Sequence, residues 1–161
     1  MEQWVTILDN PDYAVSDLGR VQNNYTGRLL AISRTSGGLC YVSLQKDGRT
    51  SNRALAKLVC EAFILQPDYF DTPIHLDGDP YNCRACNLAW RPRWFSLKHK
   101  VQFRGNGSSG SRLMIQDVGT GELLDIWEAV IHYGLLYADI LRSIECNTCV
   151  FPTLQRFRWA Y

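Results

Sequence analysis

Short apolar runs broken by turn-forming clusters fill the first third of the chain, and helical spacing follows them. Val5 to Leu8 is an apolar run ended by Asp9-Asn10-Pro11-Asp12, a cluster that favours a turn. Tyr13, Val15 and Val21 read as strand positions on either side of a turn at Ser16-Asp17-Leu18-Gly19-Arg20. Leu39 to Leu44 reads as a further strand. Lys46-Asp47-Gly48-Arg49 after it is a hairpin turn in which Gly48 can take positive φ. Leu55, Leu58, Val59, Ala62 and Phe63 then fall at helical spacing, which predicts a one-faced helix over Arg53–Leu65, stopped by Gln66-Pro67-Asp68.

A second piece runs from Phe70 to Phe103. It is expected to hold a strand at Pro73–Leu76, a turn at Asp77-Gly78-Asp79, an irregular loop, and a short return at Asn87–Trp90. Pro92 suits the first turn of a helix, where its missing N–H costs nothing. That helix is expected to turn Trp94, Phe95, Leu97, Val101 and Phe103 inward. Residues 105–111, Gly-Asn-Gly-Ser-Ser-Gly-Ser, have the composition of a flexible linker. Beyond it, Leu113–Leu124 reads as a hairpin around Gly119-Thr120-Gly121. Leu124–Ile144 reads as two short helices parted at His132–Leu135, with Ala129, Val130, Leu136, Ile140 and Leu141 inward. Two helices broken at a glycine are the pattern of a helix-turn-helix. Phe157-Arg158-Trp159 closes the piece as a strand. The expected class is α+β.

Composition narrows the field. At 161 residues, 46% hydrophobic and 20% charged, the chain is globular rather than disordered. No apolar run approaches the roughly 18 residues needed to span a bilayer, and the opening Met-Glu-Gln-Trp does not read as a signal peptide; the expectation is a soluble, intracellular protein. Six scattered cysteines are too few for a disulfide scaffold, so reduced thiols are the default. Cys83-Arg84-Ala85-Cys86 and Cys146-Asn147-Thr148-Cys149 are both C-x-x-C pairs, and four thiolates would suit a structural Zn²⁺. They lie across the glycine-serine segment from one another, which argues against a shared site. Cys40 and Cys60 read as buried apolar fillers.

The net charge of +1 conceals an asymmetry. From Pro80 to Gln116 there is no acidic residue, yet seven of the seventeen lysines and arginines lie there: Arg84, Arg91, Arg93, Lys98, Lys100, Arg104 and Arg112. Surface faces usually mix signs. A cation field beside His75 and the amides of Asn82 and Asn87 suggests a protein that lies on phosphates.

These residues resemble the phage HNH homing endonucleases. In the N-terminal part the resemblance rests on Trp4, Tyr13-Ala14-Val15-Ser16, Gly19-Arg20-Val21, Tyr41–Leu44 and Leu58–Phe63. In the centre it rests on His75-Leu76-Asp77-Gly78-Asp79, Asn82 and Asn87-Leu88-Ala89-Trp90. Asp117, Thr120-Gly121-Glu122, Glu128-Ala129 and Gly134-Leu135 carry it, more loosely, into the C-terminal part. The resemblance implies an N-terminal DNA-contacting module (1–69), a ββα-metal nuclease core (70–104), the linker (105–111) and a helix-turn-helix module (112–161). It further implies hydrolysis of a DNA phosphodiester with one divalent cation, Mg²⁺ or Mn²⁺. His75 would be the general base, since an imidazole titrates near working pH; Asn87 would hold the loop and the ring, and Asn82 would brace the same loop. The seven basic residues would grip double-stranded DNA. One core in a monomer cuts one strand, so a nick is the expected product, in the cytoplasm of a virus-infected bacterium.

The chain departs from the family pattern at the metal. Ile74 and Ser96 stand where the family usually has ligands, and Ala56 replaces a histidine in the preceding helix. Isoleucine cannot bind a cation, and Mg²⁺ prefers carboxylates and water to a serine hydroxyl. Asp77, Asp79 and His99 are the candidate substitutes, although a turn role suits the aspartates and an exposed or phosphate-facing position suits His99. A non-cutting DNA-binding regulator is therefore the alternative, and a structural protein docking on a large partner such as RNA polymerase a third. For either DNA-binding reading, affinity is expected to fall steeply with salt. Six phosphate contacts would give a slope of about −5 in log affinity against log salt, measurable by titration, and a slope near zero would reject the basic run as a DNA surface.

Overall fold

The structure, a computed structural model, describes residues 1–105 and 113–160. It is of the α+β class, and the chain divides into two compact units, Met1–Arg93 and Trp94–Tyr161. Arg112 and nearly all of the expected linker lie outside the described residues. Among the described residues, no helix is long and apolar enough to cross a membrane.

The first unit is built from three small antiparallel sheets and one helix. β1 (Trp4–Thr6), β2 (Tyr13–Ser16) and β3 (Val21–Asn23) form the first sheet; β4 (Ser33–Arg34), β5 (Cys40–Lys46) and β6 (Arg49–Ala54) form the second. In β5 the side chains alternate, with Cys40, Val42 and Leu44 buried and Ser43 and Gln45 exposed, as a sheet with one dry face requires. The β5–β6 turn takes positive φ at both Asp47 and Gly48, the primed geometry that matches strand twist. The hairpin turn leads into β6 as its return strand, which runs further than expected, to Ala54: its sequence, Arg-Thr-Ser-Asn-Arg-Ala, is polar, and its strand form comes from pairing along β5. It takes the residues expected to start the helix, so α1 spans Leu55–Phe63 rather than Arg53–Leu65. Arg53 remains extended and pairs with Asp9 and Glu61. α1 buries Leu55, Leu58, Val59 and Cys60 on one face. β7 (Thr72–His75) and β8 (Leu88–Arg91) pair as a two-stranded sheet, and the Trp90 indole N–H donates to the Ile64 carbonyl at 3.1 Å, tying β8 to the end of α1.

Two turns of these sheets close on the segment that follows β7. Gly19, at φ +76°, lies so near Cys83 that a Cβ would sit 2.7 Å from its carbonyl oxygen; at Gly38, φ +81°, a Cβ would sit 2.9 Å from Pro80 Cγ. The Ala85 N–H donates to the Asp17 carbonyl at 2.8 Å, and the Tyr81 hydroxyl to the Thr35 carbonyl at 3.2 Å. Residues 80–85 are thus seated on the β2–β3 and β4–β5 turns.

In the second unit, β10 (Leu123–Asp125), β9 (Met114–Asp117) and β11 (Phe157–Trp159) form a sheet in that order. α3 (Ile126–Tyr133) starts from a capping box in which Asp125 and Glu128 satisfy each other's backbone, and ends at Gly134 in the left-handed conformation. α4 (Tyr137–Cys146) completes a helix-turn-helix. Ile115, Ile126, Ala129, Val130, Leu135, Ile140 and Phe157 make its core. α2 (Arg93–Gly105) supplies Gln102, whose amide donates to the Leu135 carbonyl and accepts from the Tyr137 N–H, bridging the break between α3 and α4. The expected inner face of α2 is corrected. Phe95 and His99 are buried, whereas Trp94, Leu97 and Val101 are 52%, 63% and 61% exposed. The apolar positions span too wide an arc for one face, and the face that packs follows the i, i+4 line through 95 and 99.

Because Gly19 combines positive φ with a blocked Cβ direction, Gly19→Ala is expected to destabilise the protein by about 2 kcal/mol or more. Gly27 has positive φ but nothing within 4 Å of its Cβ direction, so Gly27→Ala should cost only about 1 kcal/mol. Urea unfolding of the two variants checks this; equal losses would show that the contact with Cys83 carries no weight.

Candidate functional site

The site forms where β7 ends. His75 is its last residue, half-buried and paired across the sheet with Leu88. Between them the chain makes a loop with few apolar side chains to hold it, so its shape is set by polar groups. The Leu76 N–H donates to the Asn87 carbonyl at 2.8 Å, and Gly78, at φ +76°, donates back to the His75 carbonyl at 3.0 Å. The Asn87 amide, 8% exposed, donates to Asp77 Oδ1 at 2.9 Å and to the Asn82 carbonyl at 2.9 Å, while its oxygen accepts from the Asp77 N–H at 3.1 Å. Asn82 Nδ2 donates to Asp77 Oδ2 at 2.7 Å, and the Asp79 N–H to Asp77 Oδ1 at 2.9 Å. The short return expected at Asn87–Trp90 is the strand β8, entered through a single 3₁₀ turn at Ala85–Asn87.

Asn87 and Asn82 therefore hold the loop through Asp77. Against the imidazole lies Cys83, its Sγ 3.7 Å from His75 Nε2. Burial pushes the Cys83 thiol from an ordinary 9.0 up to about 12, with Cys40, Cys60 and Asp79 adding to the effect. The thiol is thus a neutral neighbour of the ring, neither a counter-charge nor a nucleophile, since nucleophilicity belongs to the thiolate. Sequence reading considered Cys83 only as half of a C-x-x-C pair; its partner Cys86 is exposed.

The candidate metal ligands do not come together. Both oxygens of Asp77 accept hydrogen bonds within the loop, which makes it a turn brace. Asp79 is exposed and accepts from the Tyr81 N–H at 2.9 Å. Ile74 is buried. His99, expected to be exposed, is 2% exposed and packs against the rings of Phe95 and Phe103, at centroid distances of 6.1 and 5.1 Å. Among the described residues, no group of three or more His, Cys, Asp and Glu side chains is placed to hold a metal ion.

Of the basic residues, Arg84, Arg93, Lys98, Lys100 and Arg104 are exposed. Arg91 is not available: it is buried, donates to the Trp90 carbonyl at 2.9 Å, and burial lowers its pKa. Lys98 lies over the Trp94 ring at 5.5 Å, which accounts for part of that tryptophan's placement at the surface.

Residues 2–45 match the NUMOD4 motif. Over 161 residues the chain is 27% identical to the uncharacterized HNH endonuclease L245 of Acanthamoeba polyphaga mimivirus, covering 99% of this chain and 48% of that protein. It spans about half the length of that relative. Its fold is similar to that of the HNH homing endonuclease I-HmuI, solved in a study of DNA binding and cleavage, with a TM-score of 0.57, 17% identity and 98% of each chain covered; at that identity the likeness is one of fold. The chain is thus similar in sequence to an HNH endonuclease and in fold to an HNH homing endonuclease.

The thiols give the first unit a pH signature. Cys60, fully buried, is likewise pushed up to about 12 by desolvation, with Glu61 adding to it. The unfolded chain releases these protons near pH 9, and the folded chain keeps them until about 12. Their contribution is whole below pH 9 and is lost as pH rises towards 12, at up to about 1.4 kcal/mol per pH unit for each thiol. Urea midpoints between these limits should fall more steeply for the natural chain than for Cys60→Ala with Cys83→Ala; parallel slopes would remove the thiols as the cause.

Proposed function

We propose that this chain is an HNH-type, site-specific DNA endonuclease that acts as a monomer and nicks one strand. The observation that carries the reading is His75 at the end of β7, its hairpin locked by the Asn87–Asp77–Asn82 hydrogen bonds, in a chain whose fold resembles an HNH homing endonuclease. In this reading the imidazole takes a proton from the water that attacks phosphorus, and the P–O3′ bond breaks. Asn87 does not touch the reacting atoms; it keeps the backbone beside His75 rigid. Residues 1–69 and 112–161 would each contact the duplex, the latter through α4. Arg84, Arg93, Lys98, Lys100, Arg104 and Arg112 would meet phosphates, which position the protein without reading sequence.

A second reading has its own observation. The Asp77 carboxylate is engaged within its loop, Ile74 is buried and His99 is packed among aromatic rings. That favours a DNA-binding regulator that grips without cutting. One assay separates the two: supercoiled plasmid carrying candidate target DNA, incubated with Mg²⁺ or Mn²⁺. The nuclease reading expects nicked circles, and a loss of at least about a hundredfold in rate for His75→Ala with unchanged thermal unfolding. Nicking indifferent to that substitution would reject His75 as the base, and a specific mobility shift without nicking would select the regulator.

A further inference from the structure

Three arginines that sequence distance keeps apart line one cleft in the first unit. Arg20 follows the β2–β3 turn, Arg34 ends β4, and Arg84 lies in the segment seated on both turns. Tyr81, Asn82 and Cys83 complete its inner wall. None of the described residues that line it is acidic. Its volume is about 200 Å³, below the roughly 300–1,000 Å³ of sites that take whole small molecules. It suits a group rather than a molecule.

Two of the three guanidinium groups, those of Arg34 and Arg20, are held in place before any ligand arrives. Arg34 lies over the Tyr81 ring at 5.0 Å, and that tyrosine is itself fixed by its hydroxyl bond to the Thr35 carbonyl. Arg20 is held along one edge by Glu2, with Nε donating to Glu2 Oε1 at 2.8 Å and Nη2 to Oε2, and it lies 5.8 Å from the Trp4 ring. Glu2 offsets part of the Arg20 charge but leaves Arg34 and Arg84 in excess. A stacked, planar guanidinium presents its N–H fork to an oxyanion with little further ordering.

We propose that this cleft seats a backbone phosphate of the DNA, with Arg34 and Arg84 as its principal donors and Arg20 as a third. The proposal rests on the DNA-processing reading and extends it, because Arg20 and Arg34 lie outside the basic run. The seat is joined to the site: Asn82 braces Asp77, and Cys83, which lines the cleft, has its thiol 3.7 Å from His75 Nε2. A phosphate held there fixes the strand with respect to the imidazole.

The test measures binding of the full chain to a short labelled duplex in EDTA, across a range of salt. Arg34→Gln and Arg84→Gln should each take about 0.9 off the slope of log affinity against log salt, and the double variant about 1.8. Arg34→Lys with Arg84→Lys, which keeps both charges but loses the planar forks, should leave the slope unchanged and lower the affinity. Phenylglyoxal footprinting should find Arg34 and Arg84 protected by the duplex. Unchanged slopes in the glutamine variants, an altered slope in the lysine double variant, or no duplex binding by the natural chain would each overturn the proposal. Protection by inorganic phosphate without protection by the duplex would do the same, assigning the cleft to free phosphate. Because no metal or cleavage is involved, altered slopes with no plasmid nicking would sink the nuclease reading alone, and nicking with unaltered slopes would sink the cleft alone.

Discussion

A single carboxylate organises the centre of the first unit. Asp77 accepts from Asn87, Asn82 and the Asp79 backbone, and so closes a loop that has little apolar surface of its own. Charge-assisted hydrogen bonds are the stronger kind, and a nearly buried amide such as Asn87 is costly to leave unpaired. These two facts favour one loop conformation over its competitors. With that conformation fixed, His75 stands opposite Leu88, β8 runs back beneath α1, and Trp90 reaches the Ile64 carbonyl. The far side of the same loop meets the β2–β3 and β4–β5 turns at Gly19 and Gly38, where any larger residue would collide. The rim that carries the imidazole is therefore continuous with the turns that carry Arg20 and Arg34.

The same carboxylate explains the unusual donor set. An aspartate that already serves three donors would lose those bonds on turning to a cation, and the loop would lose its closure with them. The neighbouring sulfur offers no substitute, since burial keeps the Cys83 thiol protonated far above neutral pH. What the site contributes is thus a half-buried imidazole, a neutral thiol beside it, and a rigid backbone. On the proposed nuclease reading, this is compatible with proton handling at a phosphate brought in by the substrate, and it would place the burden of anion recognition on the arginines around the loop.

The sequence made legible whatever depends on local rules. Gly48 at a hairpin tip, Gly134 at a helix end and the alternation in β5 follow from backbone sterics or from one-sided burial, and each is visible in a few consecutive residues. The extent of β6 was illegible because its residues carry no apolar signal; its strand form is imposed by the partner strand. His99 misled because a histidine amid lysines looks solvated, whereas the i, i+4 line of α2 places it between Phe95 and Phe103. Asn82 and Asn87 could be assigned to one loop from their motif. The contact of Cys83 with His75 could not, since it depends on where the loop docks, eight residues on.

Charge shows the same contrast between order along the chain and arrangement in space. The run from Arg84 to Arg104 looks like one cationic face, yet Arg91 turns inward to the Trp90 carbonyl while its neighbours stay exposed. β8 is buried at Trp90 and Arg91 alike, so a basic position at its end does not share the fate of the exposed basic positions in α2. Conversely, Arg20 and Arg34 lie far from Arg84 along the chain, and it is the docking of 80–85 on two glycine-bearing turns that sets them beside it. The surface most suited to a phosphate is thus made by tertiary contact, at the seam between the segment matching the NUMOD4 motif and the loop that follows His75. A seam of this kind couples grip to chemistry, because any shift of the turns that moves the arginines also moves the loop on which the imidazole depends.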